Sequence, residues 1–326
     1  VIPQLSLIPT FGSTLKAFKL KSTYKNNSLE DISLIQTNDG SISLHSHFFK
    51  EGFHSSKGAL KEAKEKFIIP SSIEKLKSHS PIYILDVCFG LGYNTGVLLE
   101  SLNIKKTTVS WWGLEIDHRP IQIALQEPVF LNQWSSDVLK ILKSIRDTSH
   151  WSFENSHGSL LWGDAREQIN LLPKDFQAQL ILHDAFSPRK CPELWSEEFL
   201  SNLVKRLAPG GQLITYCRAA AVRASLRRAG LSLRSLRNTC PKSNSWSEGT
   251  IGILPVTTES NSKALEGSPK NLNLMEEEHL LTRAAIPYRD LTGKDSCQEI
   301  LARRKQEQLD CSLESTTSWR KRWFSG

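Results

Sequence analysis

Short apolar runs rich in β-branched residues recur from residue 82 onward, each bounded by glycine, proline or polar turns. They predict strands at Ile82–Cys88, Val109–Glu115, Leu160–Trp162, Leu180–His183, Gln212–Cys217, Leu231–Leu236 and Thr250–Leu254. Segments of helical periodicity fill most gaps, among them Thr95–Leu102, Glu193–Leu207 and Ala220–Ala229. Such alternation predicts a doubly wound, seven-stranded, mostly parallel sheet with helices on both faces. No helix separates the last two strands, which permits an antiparallel pair. Pro209-Gly210-Gly211 marks the passage from a helix into a strand.

Upstream the pattern changes. Ile32 and Leu34, then Ile42 and Leu44, alternate with polar residues around Asn38-Asp39-Gly40, which predicts a tight hairpin over Asp31–His47. Ala59, Leu60, Ala63 and Phe67 share one face of a helix over Gly58–Phe67. Residues 1 to about 30 carry little pattern and are expected to form a loose arm, and Pro70 to Pro81 reads as a linker. After Pro255 the chain turns polar through Pro269, as in a surface loop. A charged helix over Cys297–Leu309 and the basic aromatic end Trp319-Arg-Lys-Arg-Trp-Phe324 follow. The expected division is an N-terminal arm, hairpin and helix over 1–80, the sheet over 81–256 and a C-terminal extension over 257–326.

Composition adds bounds. The 326 residues suffice for a proper core, although 39% apolar content leaves room for loops. The net charge of +7 suits an anionic partner such as nucleic acid, and also occurs in ordinary enzymes. Six scattered cysteines (Cys88, Cys191, Cys217, Cys240, Cys297, Cys311) show no Cys-x-x-Cys spacing and no metal-site pattern. Val1 to Phe11 lacks the basic start and cleavage site of a signal peptide, and no uncharged apolar run reaches membrane-spanning length. A soluble chain in a reducing cytoplasm is expected.

The chemistry begins where the first sheet strand ends. Asp86 closes an apolar run, and Gly90-x-Gly92 then opens a helix. This is the form of a parallel strand feeding a backbone-lined ligand turn in a Rossmann-like fold, where side chains at the glycines would block close approach. Gly90-x-Gly92-x-x-x-Gly96 approximates a dinucleotide fingerprint, with Glu115 where a ribose partner belongs. A carboxylate at Asp86 sits badly beside a pyrophosphate. It suits S-adenosylmethionine, whose ammonium and sulfonium it offsets in a poorly solvated cleft. Glu115 would accept the ribose hydroxyls, and Asp164, in Trp162-Gly-Asp-Ala165, the adenine amino group. Asp164 is equally suited to cap a helix starting at Ala165. Three carboxylates after three successive strands favour the ligand crevice.

The fourth strand ends in His183-Asp184-Ala-Phe186-Ser187-Pro188. Its end faces the transferable methyl group. Asp184 and backbone carbonyls can hold an amine in line, and Phe186 can offer its ring face to the developing positive charge. The plainer reading makes Asp184 a turn cap and Phe186 core. His183 is expected to be structural.

These residues resemble one family, the MnmC-type tRNA wobble-uridine methyltransferases in their stand-alone, MnmD-like form. The resemblance rests on Thr37-Asn-Asp39-Gly40-Ser41, Phe53-His54-Ser55, Gly58-Ala59 with Glu62-Ala63, and Asp86-x-x-Phe89-Gly90-x-Gly92-x-Asn94. It continues through Glu115, Gly163-Asp164-Ala165-Arg166, Asp184-Ala-Phe186-Ser-Pro188, Pro192-Glu193-Leu194-Trp195 and Pro209-Gly210-Gly211. It covers about Asp31 to Leu254, and Ile286-Pro-Tyr-Arg289-Asp290 also resembles stand-alone members. It implies the class I methyltransferase version of the sheet, with its last strand antiparallel, and the N-terminal hairpin and helix as an extension. It implies methylation of the amine of 5-aminomethyluridine, often 2-thiolated, at the tRNA wobble position. Asp86, Phe89, Gly90, Gly92, Asn94, Glu115, Asp164 and Ala165 would line the cofactor, and Asp184 with Phe186 would position the amine. His54, Ser187 and Pro188 would lie on the substrate side. Two-domain relatives add an FAD-dependent oxidase, for which too few residues follow Leu254. Cys88 departs from the Gly or Thr expected there.

Transfer RNA calls for phosphate contacts and a pocket for an unstacked base. Arg218, Arg223, Arg227, Arg228, Arg234 and Arg237 concentrate charge after the fifth strand, and Arg320, Lys321 and Arg322 lie between two tryptophans. Each could instead belong to a solvated helix face. The hairpin and helix at Asp31–Phe67 would act as a lid, or else cover a sheet edge. Competing functions are an aminopropyltransferase of polyamine-synthase type, a silent RNA-binding module and a nicotinamide dehydrogenase.

Overall fold

Alternation within each strand divides the hydrophobic core in two. In the computed structural model, which describes residues 31–77, 80–236, 247–256 and 271–324, the segment Ile82–Val87 (β4) sends Ile82 and Ile84 into one apolar cluster and Leu85 and Val87 into another. Strands Val109–Glu115 (β5) and Ala178–His183 (β8) split in the same way, Trp111 and Leu180 to the first cluster and Leu114 and Ile181 to the second. A period-two pattern with both faces apolar belongs to a sheet covered on both sides.

The other strands are Ile32–Gln36 (β1), Ile42–Ser46 (β2), Glu51–Gly52 (β3), His150–Phe153 (β6), Ser156–Trp162 (β7), Leu207–Thr215 (β9), Ser232–Leu236 (β10) and Gly249–Ile253 (β11). Eight of them form one sheet in the order β10-β11-β9-β8-β4-β5-β7-β6, and β1-β2-β3 form a small antiparallel sheet. From β9 through β8, β4 and β5 to β7 every pairing is parallel. β11 runs antiparallel to both β9 and β10, as the missing helix between the last two strands allows. The sheet has eight strands where seven were expected, because β6 pairs antiparallel with β7 at the edge. Only Trp151 of β6 is buried, and its turn uses Glu154 at φ 51° rather than a glycine, so neither pattern nor turn announces the hairpin. β9 also starts earlier than expected and takes in Pro209-Gly210-Gly211, with a register shift against β8.

Helices Tyr93–Leu102 (α1) and Ser136–Thr148 (α2) bury residues in the first cluster. Glu197–Val204 (α3) and Ala220–Arg228 (α4) bury residues in the second. The stretch expected as one helix over Glu193–Leu207 is a 3-10 turn at Pro192–Trp195 followed by α3, broken at Ser196, whose hydroxyl caps α3. The N-terminal unit packs on α1, where the Tyr93 hydroxyl donates to the Ile42 carbonyl (2.9 Å). Its helical run begins at Ala59–Glu62, passes through a π turn at Ala63–Ile68 and ends in a 3-10 turn. Asp39 ties hairpin to helix, accepting from the backbone of both Ser41 and Lys61 (2.9 Å each).

The C-terminal stretch forms Leu274–His279 (α5), Cys297–Asp310 (α6) and Thr316–Phe324 (α7). Capping boxes start α5 (Asn273 with Glu276) and α6 (Ser296 with Glu299). It is bound to the sheet domain by ion pairs from Arg166 to Asp290 (2.8 Å) and from Arg223 to Glu276 (3.1 Å). The expected arm at residues 1–30, the polar loop through Pro269, Arg237 and Cys240 lie outside the described residues.

Candidate active site

The carboxyl ends of β4, β5, β7 and β8 converge. Backbone bonds lace them together: Cys88 donates to the Leu114 carbonyl (2.9 Å), Asp184 to Val87 (3.1 Å) and Gly163 to Glu115 (2.8 Å). After β4 the chain turns through Cys88 (φ 68°), Gly90 (φ 57°) and Gly92 (φ 89°) into α1. A side chain at Gly92 would come within 2.8 Å of the Phe89 ring, so backbone sign and space both require glycine. Cys88 adopts a left-handed conformation with a Cβ attached, which costs roughly 1–2 kcal/mol.

Asp86 is fully buried, and its Oδ2 accepts from the Thr95 hydroxyl (2.6 Å) while Oδ1 has no partner. Burial pushes its carboxyl up to about 7, against the Thr95 hydrogen bond and with a further push from the Glu115 charge. Glu115 accepts three backbone N–H bonds, from Ile116 (2.7 Å), Asp117 (2.9 Å) and Gly90 (2.8 Å). Burial nevertheless raises its pKa, since those bonds offset only part of the desolvation. Asp164 caps the turn at Ala165–Gln168 and also grips Arg166, accepting from Nη2 at 2.7 Å. The capping role is thus real. Its side chain still has 28% exposure, so it can take a further donor.

At the end of β8, Asp184 Oδ2 accepts from the Asn94 amide (2.8 Å). Burial pushes Asp184 up to about 8, the Glu62 charge adds to the rise, and Asn94 opposes it. Phe186 is no isolated core residue: Phe49 stacks on it at 4.3 Å and Phe53 meets it edge-on at 4.9 Å. Its carbonyl accepts from Trp195 Nε1 (2.7 Å), and the preceding carbonyl of Ala185 accepts from Tyr216 (2.8 Å). The backbone N–H and hydroxyl of Ser187 both donate to Glu51 of β3 (3.2 and 2.7 Å). Pro188, next to it, is partly exposed. The N-terminal unit therefore reaches the fourth-strand loop directly.

His54 shares a hydrogen bond with Ser43 (2.9 Å) and packs edge-on to Tyr93; burial pushes its pKa down to about 4, so the ring is neutral. Beside it Glu62 accepts from the Ser55 N–H (2.9 Å) and pairs with Lys66. The Glu62 charge acts on both His54 and Asp184. Sequence reasoning gave Glu62 and Lys66 no role. At i,i+4 spacing they look like a surface pair, but Glu62 is only 10% exposed. His183 is buried, donating through Nε2 to the Leu194 carbonyl (2.9 Å), which agrees with a structural part.

The arginines divide. Arg223 was expected to touch RNA, and the structure corrects this: it is 1% exposed, donating to Glu276, Thr250, Ser247 and the Gly249 carbonyl. A phosphate cannot reach it. Arg227 pairs with Glu277 (2.7 Å) and Arg228 with Glu197, while Arg322 bonds both Glu278 and Glu314. Arg218 and Arg227 remain on the surface. No helix among the described residues is long and apolar enough to cross a membrane.

A mostly parallel sheet whose final strand is reversed, with a glycine turn after its first strand, defines a class I S-adenosylmethionine-dependent methyltransferase. A family profile described as S-adenosyl-L-methionine-dependent methyltransferase matches residues 126–247. The chain belongs to the MnmC-like family of these enzymes. The crystal structure of MNMC2 from Aquifex aeolicus matches with a TM-score of 0.71 and 30% identity, each chain covered to 86%. The uncharacterized protein MJ0670 of Methanocaldococcus jannaschii is 30% identical over 288 residues, 85% of this chain and 72% of that one. The tRNA 5-methylaminomethyl-2-thiouridine biosynthesis bifunctional protein MnmC of Campylobacter hominis is 26% identical over 193 residues. The match takes in 57% of this chain and 28% of that protein, so the chain spans less than a third of it.

The cofactor is S-adenosylmethionine, and the residues present fit it. A buried Asp86 oxygen without a donor suits a cationic ligand, and Gly90, where a Cβ would meet nothing nearer than the Phe53 ring at 3.7 Å, leaves its backbone open to close approach.

Proposed function

We propose that this chain methylates the primary amine of 5-aminomethyluridine, with or without 2-thiolation, at the wobble position of tRNA. The reading draws on the activity for which the bifunctional relatives are named, and one observation carries it. Asp184, a carboxylate held by Asn94, stands at the methyl-facing strand end beside an aromatic clamp that reaches in from the N-terminal unit.

S-adenosylmethionine, when bound, supplies an electrophilic methyl group on a positively charged sulfur. Asp86 offsets that charge from within the strand, Glu115 accepts from the ribose hydroxyls and Asp164 accepts from the adenine amino group. Phe89, Gly90, Gly92, Asn94 and Ala165 line the same crevice. Asp184 accepts an N–H of the incoming amine and aims its lone pair at the methyl carbon. The amine reacts in its neutral form, and the ammonium and sulfonium of the cofactor draw Asp184 into its ionised form. The new N–C bond forms as the C–S pair returns to sulfur, and the product ammonium then gives up one proton. Phe186 presents its ring face to that ammonium. Glu62 and His54 border the acceptor side, with Ser187 and Pro188 forming its rim. Arg218 and Arg227 are the surface cations proposed to meet phosphate.

The test is transfer of labelled methyl groups to tRNA that carries 5-aminomethyluridine, read by nucleoside mass spectrometry. Appearance of 5-methylaminomethyluridine supports the reading. Label entering only polyamines, or no label with cofactor bound, overturns it.

A further inference from the structure

Two buried carboxylate oxygens among the described residues have no hydrogen-bond partner, Asp86 Oδ1 and Glu193 Oε2. The first already has a use in the crevice. The second has none.

Glu193 lies in the 3-10 turn Pro192–Trp195, and that turn is fixed from several sides. The Cys191 N–H donates to the Ser187 carbonyl (3.0 Å), and Trp195 Nε1 donates to Phe186. His183 holds the Leu194 carbonyl, while the Ser196 hydroxyl holds that of Glu193 itself (2.9 Å). The backbone cannot swing away, and the residue is 8% exposed. Arg166, whose charge acts on it, is committed elsewhere. Arg166 spends Nε and Nη2 on Asp164, and Nη1 on Asp290 (2.8 Å) and the Asp295 carbonyl (3.1 Å). Burial raises the Glu193 pKa; its own backbone N–H, Arg166 and the Cys191 thiol pull it down, and Asp164 pushes it up. The segment beside the turn reaches the β7 strand end: Tyr288 bridges to Ser196, and Asp290 pairs with Arg166, which holds Asp164. The Cys88 thiol of the glycine turn also feels the Glu193 charge.

An exocyclic amino group on adenine carries two N–H donors that point to different sides. Asp164, with its oxygens already accepting from Arg166, serves one of them. We infer that Glu193 accepts the other, so that two carboxylates from different strand ends read one amino group. The inference rests on the proposed seat of adenine at Asp164. It makes Glu193 a determinant of base identity in the cofactor: an oxygen in place of the amino group would face two acceptors and no donor.

The test compares binding of S-adenosylhomocysteine and S-inosylhomocysteine by calorimetry to the full chain. The unaltered protein should prefer the adenosyl compound by about 10- to 100-fold, the range of a hydrogen bond to a charged group. Glu193→Ala should cut that preference about tenfold, and it should do so again in an Asp164→Asn background. Glu193→Gln preserves volume should the alanine variant fail to fold. Its amide can turn an N–H toward the inosyl oxygen, so the preference should shrink there too. An unchanged ratio in the folded Glu193 variants overturns the inference and leaves the crevice assignment standing. A preference lost in Asp164→Asn but not at Glu193 does the same. Failure of the unaltered protein to bind S-adenosylhomocysteine would instead overturn the crevice assignment.

Discussion

The strand-end crevice and the α4–α5 junction both bury charge, but they handle it in opposite ways. At the junction Arg223 meets Glu276, and Ser235, Ser247, Thr250 and the Asn273 N–H complete the network. In the crevice Asp86, Glu115 and Asp184 lie near one another without a basic partner at the hydrogen-bonding distance seen for Arg223. Their pKa values rise where that of Glu276 falls to about 2, burial opposed there by Arg223. Matched buried charge marks scaffold. Acids crowded together with no cation bonded to them mark a place prepared for a positively charged ligand.

The largest expected effect separates the two regions by activity. Asp184→Asn should lower methyl transfer by roughly 10²–10⁴-fold while S-adenosylhomocysteine still binds. A variant with near-normal single-turnover rate would remove Asp184 from the chemistry. At the junction the loss should instead fall on stability. Glu276→Ala strands a buried guanidinium and should cost about 3–5 kcal/mol in urea unfolding. A cost under about 1 kcal/mol would show that the neighbouring hydroxyls and carbonyls suffice for Arg223.

The pH dependence should carry opposite signs. Asp86 and Asp184 have folded pKa values of about 7 and about 8, above their unfolded values, so the folded state holds protons longer. Their contribution to stability is present at acid pH and fades as pH rises from the unfolded carboxylate range through about 8. Glu276, lowered to about 2, contributes above its unfolded value and loses that contribution as pH falls toward 2. Asp184→Asn should therefore flatten the neutral limb of a melting-temperature profile, and Glu276→Gln the acid limb. Cofactor binding should strengthen from pH 6 to 8 as the crevice ionises, and calorimetry in buffers of different ionisation enthalpy should show proton release. Smallest of all, Cys88→Gly relieves left-handed strain at the cost of a freer unfolded chain, for a net gain of about 0.5 kcal/mol. A loss greater than 1 kcal/mol would mean that Cys88 packing outweighs the strain.

The parts legible in sequence were those that local pattern encodes. The strand β5 falls where alternation placed it, and the turn at Gly90 and Gly92 declares itself through residues that only positive φ explains. What escaped depends on partners far along the chain. Arg223 looks like its exposed neighbours until Glu276, 53 residues on, closes over it. Glu193 sits in a motif that reads as a helix start, and nothing local says that one oxygen will be left alone. Edge strand β6 is too short to show a period, and its tryptophan is the one clue.

Glu51 holding Ser187 has a consequence for anyone dividing the protein. Trimming the chain before residue 81 leaves each ladder of the large sheet its full set of bonds, yet removes Phe49, Glu51 and Phe53 together. Such a fragment also loses Leu44, Phe67 and Ile68 from the first apolar cluster, and it forfeits the anchor of the loop after β8. Swapping hairpins between relatives is thus equivalent to re-tuning that loop, and acceptor choice can drift while the donor crevice stays constant.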